Sequence, residues 1–144
     1  MRRFISYMLA LALVGGVGLM AQKAETPDDL DKAMKKLAAA NGVVNKSIQA
    51  MNYAEAKKSL DTVEDALEDA HNFWVIKKKD DAIAMSKDAL AKIDVLESAL
   101  SASAPDQAAV LAAMKQVGGT CAGCHKAYRE QDANQQYQIK AGSI

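Results

Sequence analysis

The sequence predicts an all-α protein, an antiparallel up-down-up-down four-helix bundle, on three observations. Apolar residues recur in steps of three and four through four separate stretches of the chain. The composition leans on Ala, Leu, Lys, Asp and Glu, and no strand pattern is visible. The two prolines, Pro27 and Pro105, stand where helices would begin rather than inside them, and the breaks between stretches are short. Short connections make sequential helices antiparallel neighbours.

The first helix starts at Thr26-Pro27-Asp28-Asp29, which offers a capping hydroxyl, a proline at the first helical position and acids in the first turn. Its apolar line is Leu30, Met34, Leu37, Val44, Ile48 and Met51, interrupted by Asn41. Asn52 can cap the second helix, whose line is Tyr53, Ala56, Leu60, Val63, Leu67, Ala70 and Trp74. Lys77-Lys78-Lys79-Asp80-Asp81 reads as a solvated turn, since its charge is locally compensated. A third helix runs from about Ala82 to Leu100 with Ile83, Leu90, Ile93, Leu96 and Leu100 inward. After a break at Ser101 to Ala104, Pro105-Asp106 opens a fourth helix through Val110, Leu111, Met114 and Val117. That helix is expected to end near residue 131, where a polar C-terminal tail begins. Gly118-Gly119 inside it weakens the helix by about 1 kcal/mol each relative to Ala, so a close approach of a bound group or a neighbouring helix is expected there.

The fourth helix leads into Cys121-Ala122-Gly123-Cys124-His125, and C-x-x-C-H is the attachment signature of a c-type haem. On a helix these three side chains point within about 100° of one another, so two thiols and an imidazole face a single object. The sulfurs can form thioethers to the haem vinyl groups, and the imidazole can bind the iron. One covalent haem c is therefore expected. A thioredoxin-like dithiol would need a β-α-β setting, and structural zinc would need four ligands, whereas His71 is the one other His or Cys in the chain.

The N-terminus agrees with that chemistry. Met1-Arg2-Arg3 is a short basic region, and residues 4–21 form an uncharged, mostly apolar run ending in small residues, the pattern of a secretory signal peptide. Cleavage would start the mature chain near Gln22, leaving 22–144 as one haem-binding domain. Uncleaved, the segment could serve as a membrane anchor. Export to the periplasm also suits the thiols, because thioether formation removes both free cysteines from an oxidising compartment. Without Arg2 and Arg3 the chain carries 16 basic and 18 acidic side chains, a net charge of −2, which offers no bulk attraction to nucleic acid or an anionic membrane.

Topology suggests what lies across the iron. The start of the first helix and the end of the fourth share a pole, and Met34 lies about 10 Å from it, His125 about 9 Å, at 1.5 Å per residue. Met34 is the first candidate for the sixth ligand, an open position the next, and His71 near the end of the second helix the third.

From Val117 to Arg129 the chain resembles the class II cytochromes c, the cytochrome c′ group, in which the attachment motif near the C-terminus of a four-helix bundle is followed by an aromatic and an Arg. The resemblance implies thioether anchors at Cys121 and Cys124, His125 as proximal ligand, and Arg129 near the proximal haem face. Matching Gly42 and Tyr53-Ala54-Glu55-Ala56 to the family places Met34 at the distal position, with Phe73 and Trp74 where aromatics wall the haem pocket. Leu30 and Asp31 depart from the family's usual Arg-Gln pair. Two functions follow. A Met34-ligated haem is a closed single-electron carrier that needs redox partner proteins and no catalytic base, so the chain is not expected to be an enzyme. If Met34 merely packs, a five-coordinate iron binds small gases such as nitric oxide or carbon monoxide. Oligomeric state is open, with homodimers common in the family.

Overall fold

A computed structural model describes residues 24–144; the expected signal segment, 1–21, lies outside the described residues. The chain forms α1 (Pro27–Gln49), α2 (Tyr53–Ile76), α3 (Asp80–Leu100) and α4 (Gln107–Tyr128), followed by a hairpin of β1 (Arg129–Gln131) and β2 (Tyr137–Ile139). The four-helix bundle expected from the sequence is the fold. No helix among the described residues is long and apolar enough to cross a membrane.

The helix starts follow their capping chemistry. Thr26 and Asp29 close a reciprocal capping box, in which the Asp29 N–H donates to the Thr26 hydroxyl and the Thr26 N–H to the Asp29 carboxylate, each at 3.2 Å. The Thr26 hydroxyl, bonded to Asp29, also holds that carboxyl below its ordinary value. Asn52 accepts from Glu55 N–H at 3.3 Å and Asp106 from Ala109 N–H at 2.7 Å. The ends of α1 and α2 are both Schellman turns: Asn52 N–H reaches Ser47 O and Lys79 N–H reaches Trp74 O. The residues that turn the chain, Met51 and Lys78, adopt φ of 55° and 54°.

Three expectations are corrected. Met51 leaves the α1 line, because the Schellman turn swings it outward to 62% exposure. Leu111 is 46% exposed, and the inward line of α4 is Val110, Ala113 and Val117, continued by the half-buried Cys121 and Cys124 and closed by Tyr128. The chain beyond α4 is neither helix nor featureless tail: α4 ends at Tyr128, and two three-residue strands pair antiparallel with Arg129 opposite Ile139 and Gln131 opposite Tyr137.

The core is a continuous stack of Val44, Ile48, Leu60, Val63, Phe73, Ile93, Leu96 and Val110, each at most 2% exposed. Packing around the bundle is uneven. α1 lies along α2, α2 along α3 and α3 along α4, but α1 and α4 meet only slightly.

Candidate functional site

α4 carries Cys121, Cys124 and His125 on adjoining turns. Both cysteines are free thiols, half-buried and packed against the core. Burial pushes both thiols above their ordinary value, and at Cys124 the neighbouring Cys121 and Asp81 add to the effect. A redox dithiol depends on a stabilised thiolate; this pair has the opposite setting. Burial, helped by the Arg129 charge, lowers the proton affinity of His125, so its neutral ligating form is favoured. Among the described residues no group of three or more His, Cys, Asp or Glu side chains could hold a metal ion, which leaves structural zinc without a donor set.

Two flanks of α4 differ. Gln116, Gly119, Thr120 and Gly123 border a groove shared with Met85 and Asp88, and so mark the side adjoining α3. By helical periodicity His125 lies on the other flank, about 20° from Met114 and Gly118, and therefore faces α1. The same reasoning orients α1. Ala33 and Lys36 adjoin Asp69 of α2, so Met34, Asn41 and Asn45, about 80° or more around the helix from Ala33 and Lys36, lie toward the seam with α4. Met34 is partly buried and packs against the core cluster. By helical periodicity, then, Met34 and His125 fall on the flanks of α1 and α4 that adjoin one seam. Because α4 ends at Tyr128, His125 lies three residues from the helix end and Met34 seven from the start of α1, an offset of about one helical turn along the axis.

His71 sits elsewhere. Its Nδ1 is 2.8 Å from the Ser86 hydroxyl, which itself donates to the Ala82 carbonyl at 2.9 Å. Ser86 therefore accepts from Nδ1–H, and the ring is pinned between α2 and α3, across the bundle from the α1–α4 seam.

At the shared pole Phe73 and Trp74 are buried, with ring centroids 5.0 Å apart edge to face, and Trp74 lies 4.7 Å from the Tyr128 ring. Burial, reinforced by a hydrogen bond to Asp81, pushes the Tyr128 phenol up to about 12, while that bond holds the Asp81 carboxyl low. This aromatic wall stands one turn beyond Cys124. Tyr128 was visible in the sequence only as the aromatic following the motif; its heptad spacing from Val110, Val117, Cys121 and Cys124 was the signal that it faces inward.

These residues fit a c-type haem. Thiols and imidazole share one face of α4, a thioether stands on the facing wall, and α1 and α4 do not interlock between them. At Gly118 a Cβ would meet nothing within 4 Å, so the close neighbouring helix that the sequence allowed for is not there. The same holds at Gly119, on the α3 flank. Arg129 caps the end of α4, its backbone N–H donating to the His125 carbonyl. It is exposed, with its guanidinium stacked at 4.0 Å on Tyr137 of β2. Sequence reasoning missed Tyr137.

The sequence model of the family described as Cytochrome C′ matches residues 12–129 and stops where the hairpin begins. No curated protein and no solved structure matches the chain.

Proposed function

This chain belongs to the cytochrome c′ family, which implies a haem cofactor, and we propose that it is a periplasmic single-electron carrier with one covalently bound haem. Cys121 and Cys124 are the thioether anchors, His125 the proximal ligand and Met34 the distal one. The haem, when bound, supplies a one-electron ferric/ferrous couple. What supports this reading is helical periodicity, which puts Met34 on the flank of α1, and His125 on the flank of α4, that adjoin the same seam.

Each residue then has a physical task. An imidazole and a thioether favour the ferrous form, and two ligands from packed helices keep their geometry through the redox change. Phe73, Trp74 and Tyr128 exclude water from the pole beside Cys124. No side chain has to accept or donate a proton to a substrate, so no catalysed reaction is assigned. Arg2-Arg3 and the apolar run to Ala21 direct export, with cleavage near Gln22, and the partners are redox proteins recognised by local contacts.

The test is the purified holoprotein's ligation in both oxidation states. A low-spin ferric spectrum, reversible one-electron reduction and a ferrous form that resists carbon monoxide are expected. A high-spin ferric spectrum with ready carbon monoxide binding would instead assign the chain to gas binding.

A further inference from the structure

Beyond Arg129 the chain leaves the part matched by the family and builds a hairpin. Isolated two-stranded hairpins are marginal in water, so this one needs anchors, and it has them. The Asp132 carboxylate accepts from the Asn134 and Gln136 N–H groups at 2.8 Å each, closing the turn. Lys140 donates from its backbone to Tyr128 O at 2.9 Å and from Nζ to Lys126 O at 2.7 Å, tying the returning strand to the end of α4. Ile139 packs against the core, and β2 also touches α1.

The register decides what this scaffold presents. Arg129 pairs with Ile139 and Gln131 with Tyr137, so Arg129 and Tyr137 are diagonal neighbours on one face, and the guanidinium lies 4.0 Å from the Tyr137 ring centroid. Arg129 is four residues beyond His125 and hydrogen-bonded to its carbonyl. Left to itself an exposed arginine at a helix end samples many rotamers; the ring confines this one.

We propose that Tyr137 is a positioning residue for Arg129: by stacking on the guanidinium it holds a full positive charge one helical turn from the iron ligand His125 and so favours the ferrous protein over the ferric. Ferric haem carries one more positive charge than ferrous, so a fixed nearby cation disfavours it. The proposal rests on the electron-carrier reading of the same site.

The experiment is a spectroelectrochemical titration of holoproteins carrying Arg129→Gln, Tyr137→Leu, Tyr137→Phe and the double change R129Q/Y137L. At fixed ambient potential, Arg129→Gln should raise the ferric-to-ferrous ratio about tenfold and Tyr137→Leu about threefold, with Tyr137→Phe near wild type because its ring still stacks. The double variant should match Arg129→Gln alone, since both changes remove one interaction. The ferric spectrum should stay that of wild type throughout. The proposal is overturned by an unmoved ratio in Tyr137→Leu, by a further rise when that change is added to Arg129→Gln, or by a ratio that shifts only together with the spin state. A low-spin wild type with an unmoved Tyr137→Leu sinks this proposal alone. A high-spin wild type, or one without haem, sinks the carrier reading and this proposal with it.

Discussion

Met34→Ala converts the holoprotein from low-spin, six-coordinate iron to a high-spin form whose ferrous state binds carbon monoxide. The thioether is a soft donor that stabilises ferrous iron, so its loss also raises the ferric-to-ferrous ratio at fixed potential by more than about tenfold. Met34→Leu separates ligation from packing: it conserves side-chain volume at a cost below about 1.5 kcal/mol and should give the same spectral change. Absorption spectra of both variants, before and after carbon monoxide, check this. His71→Ala should leave the spectrum alone, because that ring is held by Ser86 between α2 and α3. A spectrum that follows His71 and ignores Met34 would reverse the distal assignment.

Trp74→Ala should lower the unfolding free energy by about 3–5 kcal/mol, the usual loss for a buried large aromatic whose site collapses only in part. Trp74 is 4% exposed and touches Phe73 on one side and Tyr128 on the other. Its removal therefore takes two aromatic pairs as well as buried area, and opens the pole beside Cys124 to water. Against a total of about 5–15 kcal/mol for a domain of this kind, that is a large fraction. Guanidinium unfolding of the holoprotein followed by far-UV circular dichroism measures it. A loss below about 1 kcal/mol would mean that the aromatic wall does not hold this end of the bundle.

Where the chain announces its own structure, local chemistry and periodicity coincide. Thr26, Pro27 and Asp29 form the cap that their order suggests, and the α2 line from Ala56 to Trp74 is buried at every expected position. Cys121, Cys124 and His125 were legible because their spacing alone fixes a common face on a helix. Other features depend on partners that periodicity cannot see. Met51 continues the α1 pattern, yet a Schellman turn closes the helix before it. Leu111 keeps a helical step from Met114 but falls on the flank toward α1, where the two helices scarcely meet, so it stays exposed.

The C-terminal hairpin was illegible for a different reason. Strands of three residues carry too little alternation to register as a pattern, and Gln131 to Gln138 is almost wholly polar. What folds the segment is the Asp132 side chain bonding two backbone amides, together with Lys140 returning to the end of α4. Both are long-range or geometric facts with no sequence period. The early end of α4 follows from the same cause, because Arg129 at φ −111° and ψ 136° already belongs to β1.

The central claim is a haem bonded through sulfur to α4, and the mass of the mature protein tests it most directly. Expressed in a host that matures c-type cytochromes, exported and denatured, the polypeptide should start near Gln22 and exceed the mass of its bare chain by one haem. The increment should vanish when both Cys121 and Cys124 are replaced by Ser. A wild-type mass equal to that of the bare polypeptide would contradict the claim.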